Sequence, residues 1–549
     1  MDFNSSSLST VSPVNSVFYS RNFLASVSKY LGRHSLTFGF DYRGIHTDFT
    51  NLNYSAGDFK FNGAFTEQFP NVAGSGSDFA DALLGYPYQG EVDTTTKLFL
   101  HVNYFSGYIQ DDFRVNSKLT LNLGLRYEYE TGISEDNNHL VVGFNGLALN
   151  PLAANVTGIT PRGAVEYAGV NGNSTSCCNP SAKKFGPRIG VAYSLNDKTV
   201  IRGGFGIFYA PTRFADDPGM ALGYTQATTY VASNNGNATP ANSLSNPFPG
   251  GVLQPQGNAR GALAGVGSSF NFLDQGRGSG EVLQYSVDVQ RQLPSNIALE
   301  VGYIGSSSRH LQDSSTGTGA YNINQVPDSA LALGSQLSSP VANPYFQNGG
   351  TGVIGSSTVT NAQLLKPYSP FSTIGILTNP SYALYNSMIV KAQKRLSAGL
   401  TFLSAFTWSK NMDNEFAGTN FFSGSSTAPQ DAYNLAAEYS LAVADTPLRW
   451  SNTVSYYLPF GKGKMFLNKS KLVDYAVGGW QVNFTNIYQS GFPLAISQSS
   501  NQNSILGTAV QRPNATGVSP SMSGSVEQRL NGYINSAAFS SAPIYTFGN

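Results

Sequence analysis

The 549 residues carry 32 Lys or Arg against 32 Asp or Glu, so the net charge is zero, and only 12% of residues are charged, against about 25% in an average soluble domain. No basic face argues for nucleic acid and no acidic block for a solvating tail. Aromatics make up another 12%, with 58 Gly, which suits β-structure better than helices; no apolar run approaches the ~18 residues of a membrane helix, so any bilayer is crossed by strands.

In chain order, residues 17–30 and 34–47 predict a first hairpin about Leu31, Gly32 and Arg33, with Leu36, Phe38 and Phe40 on one parity and Asp41 and Arg43 following on. Residues 48–97 hold no helical period and read as loop with short strands around the small apolar run 79–85. The stretch 108–131 is the clearest element. Leu119, Leu121, Leu123, Leu125, Tyr127 and Tyr129 share one parity, and Thr120, Asn122, Gly124, Arg126, Glu128 and Glu130 the other, so one face of the strand is apolar and the other polar. A soluble strand usually stops after about five or six residues; this one runs about twice as far, the length of a tilted membrane-crossing strand. Its turn lies at Asn116 and Ser117.

Residues 133–185 read as a loop rich in Asn, Gly and Pro. A third hairpin follows, 186–195 with 199–209, about Asn196 and Asp197. In the next, Leu283, Tyr285, Val287 and Val289 oppose Gln284, Ser286, Asp288 and Gln290, the chain turns at Pro294 and Ser295, and Ile297, Leu299, Val301 and Tyr303 return. Residues 385–396 and 400–411 turn near Ser397 and Ala398, with Leu400, Phe402, Phe406 and Trp408 on one parity. The last pair, 450–460 and 475–488, is joined by a looser segment. This makes about a dozen strands, an even number as bacterial barrels have.

Short turns alternate strictly with the long loops 48–97, 133–185, 210–280, 306–381 and 412–448. Soluble domains seldom contain even one loop of that length; short turns on one rim and long loops on the other mark a transmembrane barrel whose short turns face the periplasm. Tyr127, Tyr129, Tyr209, Tyr285, Tyr303, Trp408 and Trp450 fall where strands approach the long loops and read as the outer interfacial girdle. The expected fold is therefore an all-β, antiparallel transmembrane β-barrel.

Nothing in the sequence requires an enzyme. His34, His46, His101, His139 and His310 are scattered, with no HExxH or i, i+4 pair. Arg202 to Gly206 lacks the third Gly and the following helix of a dinucleotide loop, and Phe460 to Lys464 lacks the Ser/Thr of a phosphate loop and reads as a turn. Asp111 and Asp112 differ in parity and do not face each other. Cys177 and Cys178 are expected to be exposed or bridged to each other in a loop, and have no second Cys or His pair for zinc. No catalytic, cofactor or metal residues are assigned; ligand binding is placed in the five long loops.

The strings YIQDDFRV, LTLNLGLRYEY, FGPRIGVAY, VIRGGFGIFYAP, LQYSVDVQRQLP, VGYIGSSSRHL, YNSMIVKAQKRLSAGLTFLSAFTWSKNMDN, DTPLRWSNTVSYYLPFGKGK and VGGWQVNFTNIYQSGFPL resemble, in this order, the large TonB-dependent receptors of the Oar-like group of Acidobacteria and relatives. The resemblance implies the later part of a 22-strand barrel in the outer membrane, a ligand captured by the extracellular loops, and energy delivered by a TonB-type protein through a plug. In that family a signal peptide, a carboxypeptidase-regulatory-like domain and a plug precede the barrel; none of these is recognisable here. Residues 1–490 are then partial barrel and 491–549 a loop region before further strands. Both ends are expected to be incomplete, because MDFNSSSLSTV is not an export signal and the chain stops at Phe547, Gly548 and Asn549 instead of an aromatic closing residue. Two other readings are a structural or adhesive outer-membrane barrel that moves nothing, and a secreted soluble β-protein.

Overall fold

Alternation at period two decides the architecture, because a strand that is apolar on one face and polar on the other fits only between two different surroundings. The computed structural model describes residues 2–3, 6–7, 14–68, 72, 74–178, 181–210, 221–311, 321–346, 350–415, 428–530 and 532–549. Within them twelve long strands build one wall: β1 (Val14–Leu31), β2 (His34–Asn51), β3 (Leu98–Arg114), β4 (Leu119–Glu130), β5 (Lys184–Asn196), β6 (Thr199–Tyr209), β7 (Glu281–Leu293), β8 (Ile297–Leu311), β9 (Ser381–Ser397), β10 (Leu400–Asp413), β11 (Leu448–Tyr457) and β12 (Gln481–Gln489). Each pairs antiparallel with its neighbours in sequence, an up-and-down meander. Among the described residues β1 pairs only with β2 and β12 only with β11, and no ladder joins the two ends of the wall.

The register carries the two-faced character from strand to strand. Val289, Val301, Val390, Phe406, Trp450 and Tyr488 stand opposite one another in turn across β7 to β12, and Phe38, Ile109 and Leu125 do so across β2 to β4. On the other parity Asp41, Ser106, Glu128 and Lys184 line up, as do Gln290, Glu300 and Lys391. Between wall strands the ladders shift register only near turns and rims, between Ser194 and Asn196, Ser308 and Leu311, and Lys394 and Ser397. A shift of one residue inside a strand would exchange its faces. β1 is less regular: Arg21 and Lys29 share the parity of Phe23 and Val27, while Leu24 and Tyr30 lie 65% and 80% exposed on the polar side.

The short turns have the chemistry that tight reversal needs. Gly32 stands at φ +59° between the paired Leu31 and His34, the left-handed first position that a type II′ hairpin gives to Gly. Asn116 Oδ1 accepts from the amides of Lys118 and Leu119 at 2.8 and 2.9 Å, and Asn196 Oδ1 from Lys198 at 3.0 Å. Ser295 and Asn296 take φ +62° and +59°, Ala398 and Gly399 +52° and +79°.

Two expectations are corrected. Residues 475–480 do not open the last strand: Lys471–Val477 is a short helix, stopped at Gly478, and Trp480 Nε1 donates back to Ala476 O at 2.9 Å. The long connections are not mere loops either. They fold into a layer containing the hairpin Val141–Leu149 with Arg162–Tyr167, the three-stranded Phe270–Leu273, Ile374–Leu377 and Tyr321–Asn322, and the helices Asp78–Leu84 and Asn361–Leu365. The hydrophobic core sits there and at the wall's upper edge: Leu98, Leu100, Ile133, Leu140 and Leu273 form one cluster; Val141, Tyr167, Phe270, Tyr345, Phe371 and Ile374 a second; Val326, Leu337, Ala362 and Leu506 a third. Segment 491–549 joins this layer through Leu506 and through Arg512, whose Nη1 lies 2.6 Å from Glu438 Oε2.

Candidate functional site

The polar parity of β2 to β5 concentrates charge on one patch of wall. Asp41, 4% exposed, accepts from Arg43 through both oxygens at 2.7 and 3.1 Å, and Arg126 reaches Asp41 at 3.4 Å, Glu128 at 2.9 Å and the Tyr104 hydroxyl at 3.0 Å. A carboxylate this buried is tolerable only with such paired, charge-assisted partners. Nearer the long-loop rim Lys184 and Glu130, 3% and 2% exposed, pair at 2.9 Å, and the Lys184 ammonium also donates to Ser279. This ties the wall to the segment leading into β7.

Two adjoining grooves open on the same face. One, about 690 Å³, is bordered by Gln110, Asn122, Arg188, Phe208, Gln284 and Ser286; the other, about 490 Å³, by Asp41, Arg43, Tyr108 and Arg126. They share Gln110, Gly124 and Arg188. The Arg188 guanidinium lies 4.8 Å from the Phe208 ring, a cation–π contact, and among the described residues it forms no ion pair. Glycine leaves room for Phe208 here: a Cβ on Gly206 would stand 2.9 Å from its ring.

In the loop layer, three of the predicted ligand-binding loops meet at a cleft of about 550 Å³. Thr96 comes from 48–97, Asn138 and His139 from 133–185, and Tyr224, Gln256 and Asn258 from 210–280. His139 lies 4.6 Å from the Tyr224 ring, and its buried Nδ1 finds no partner among the described residues. Burial, and then the charge of Glu135, raises the Tyr224 phenol above its usual value. Tyr167, whose hydroxyl donates to Leu222 O at 3.1 Å, is pushed up to about 12 by burial. The loops 306–381 and 412–448 meet elsewhere in the layer, where Gln325 Nε2 donates to Asp431 Oδ1 at 2.7 Å.

The structure places the other singled-out residues as follows. Cys177 and Cys178 are bridged to each other, and both are buried in the first hydrophobic cluster, so the exposed alternative is corrected. His34 Nδ1 lies 2.7 Å from Asp111 Oδ2 beside the short turns, while Asp112 accepts from Asn122 at 2.6 Å on the opposite face. His46 stacks on Tyr19 with His101 beyond it at 6.1 Å, His101 lies 3.1 Å from Asp136, and His310 stands at φ +52° one residue before the end of β8. No group of three His, Cys, Asp or Glu suited to a metal ion occurs among the described residues. Arg202 to Gly206 lies within β6, and Gly461 and Gly463 turn the chain at φ +98° and +76°. All seven girdle aromatics lie on the apolar parity of the wall. Sequence reasoning missed the cluster around Asp41 and the unpaired Arg188: parity was visible, but the register that brings Asp41 beside Arg126 was not.

No curated protein matches the chain. Among solved structures it is similar to the FrpB iron transporter from Neisseria meningitidis in its apoprotein form, at 12% identity and a TM-score of 0.34 over 81% of this chain and 42% of that one. It is also similar to a mutant ferric enterobactin receptor, PfeA, from Pseudomonas aeruginosa (10%, 0.36, 81% and 40%) and to the outer membrane transporter YddB from Escherichia coli (9%, 0.40, 81% and 40%). The chain spans less than half the length of each of them. The model of the outer membrane beta barrel domain family matches residues 1–549, and this chain belongs to that family, its wall strands lying in the outer membrane.

Proposed function

We propose that this barrel wall serves a ligand-capturing receptor and transporter of the TonB-dependent kind. The layer made from the long loops takes a ligand from the outside, and the polar face of the wall forms one side of its path inward. The observation that carries this reading is the pair of grooves meeting at Arg188, on the face opposite the lipid-facing parity. A purely structural wall has no need of an unpaired cation beside open polar grooves. Energy coupling through a plug and a TonB-type partner rests on the sequence resemblance. No catalytic step is part of the reading.

The test is medium depletion. Cells expressing the complete gene product and cells lacking it are compared by mass spectrometry of the growth medium, with and without a protonophore. A solute removed only by expressing, energised cells is the expected result. A solute held at the surface whether or not the cells are energised supports the adhesive reading instead, and no difference between strains overturns both.

A further inference from the structure

The apolar face of the wall holds a groove of about 430 Å³ near its long-loop rim, lined by Tyr303, Met388 and Trp408 on neighbouring strands, by Lys410, and by Leu441 and Pro447 from the connection above. Tyr303, Met388 and Trp408 stand opposite one another across β8, β9 and β10, and Asn386 and Lys410 form a pair in the neighbouring row toward the rim. From Leu400 beside the short turn to Trp408 the strand rises for eight residues, about 27 Å at ~3.4 Å each; with a tilt near 40° this is about 20 Å of height, close to the top of an apolar band about 25 Å tall. The groove therefore begins in hydrocarbon and ends in the headgroup region. The Tyr285 and Tyr303 hydroxyls both donate to Asn386 Oδ1 there.

Polarity within the groove follows the bilayer. Its floor is aromatic and aliphatic, with Trp408 59% exposed. Lys410 stands at its upper end, exposed, and its ammonium takes no ion pair or hydrogen bond from the described residues. Asp445 also borders the groove, but it is 2% exposed and its carboxylate accepts from the Asn411 amide at 2.7 Å. An apolar groove open to hydrocarbon is filled by hydrocarbon, and a free cation at interfacial height favours an anion.

We propose that this groove is a binding site for one phosphorylated lipid of the outer leaflet, lipid A, with an acyl chain along Tyr303, Met388, Trp408 and Leu441 and a phosphate on Lys410 Nζ. The choice of leaflet rests on the long loops facing outward, as in the function proposed above; the site does not depend on transport. The complete gene product, purified in detergent and incubated with equal amounts of bisphosphorylated lipid A and phosphatidylethanolamine, is examined by native mass spectrometry. Retention of one lipid A per chain is expected, falling about tenfold in K410Q, the weight of one charge-assisted hydrogen bond, and unchanged in K391Q on the polar face. Heat-modifiable migration of K410Q shows that the variant has folded. Equal retention by wild type and K410Q, or preference for phosphatidylethanolamine, overturns the proposal. Protease shaving of intact cells tests the leaflet separately: loops inaccessible from outside would place the groove in the inner leaflet.

Discussion

Val301 and Ser286 lie on adjacent strands but face different surroundings, Val301 on the apolar row and Ser286 beside the polar groove. Arg in place of Val301 should cost roughly 2 to 4 kcal/mol near the midplane, whereas Arg in place of Ser286 should be nearly neutral; urea unfolding of the folded protein in detergent measures the difference, and equal losses would contradict the face assignment. A second prediction concerns the loop layer. Lys366 donates to Ser372 O at 2.9 Å, and burial lowers its pKa from 10.5 to about 8. The folded layer then binds fewer protons than the unfolded chain between these values, so stability rises with pH across that window, and below it the buried cation carries its full cost. Lys366→Met should raise the stability of the layer by about 3 kcal/mol at pH 7 and by almost nothing above about pH 10.5. A gain of the same size at both pH values in thermal melts would mean that the effect is packing alone. At this scale the sequence showed which side each of these wall residues takes, because parity is local. It did not show the Arg126 to Asp41 contact, because partners 85 positions apart leave no local trace.

Among elements, legibility followed period. The wall strands were readable because alternation repeats over nine or more residues, and their turns because Gly32, Asn116 and Asn196 carry turn chemistry. The pieces of the loop layer are short, and they pair at long range: Phe270–Leu273 lies parallel to Ile374–Leu377, so neither piece shows a pattern of its own. The end of the helix Lys471–Val477, from Tyr475 on, was read as strand for a related reason, since seven residues are too few to establish either period. The layer's own core makes it separable from the wall. Phe371, fully buried against Phe144 and Phe270, should cost about 3 to 5 kcal/mol when cut to Ala. Limited proteolysis should then cleave within 133–185 and 210–280 while the wall keeps its heat-modifiable migration. Cleavage unchanged from wild type would show that Phe371 does not hold the layer together.

For the whole molecule, the separation of short turns from the folded layer sets the orientation. Single cysteines at Ser174 should react with an impermeant thiol reagent on intact cells, and those at Ser117 or Ser295 only after the outer membrane is breached; labelling of Ser117 on intact cells would reverse the assignment. The native Cys177 and Cys178 are bridged and buried, so they need not be removed first. The free edges of β1 and β12 set a condition on insertion, since unpaired backbone groups in hydrocarbon each cost several kcal/mol. Two edges left unpaired in hydrocarbon should keep residues 1–549 from giving a heat-modifiable band; a stable folded band would show that the two edges find each other. The shared core of the loop layer bears on how such a protein can diversify. Val141 and Tyr167, Tyr224 and Phe270, and Tyr345 and Phe371 come from three different connections into one cluster, so a recognition loop grafted from a relative arrives without the surfaces that its neighbours were shaped to meet. Specificity here is inherited as a block of co-adapted segments, and the place for free insertion is a self-contained tip such as 234–239, where Asn235 and Thr239 bond chiefly to each other and to Ser233.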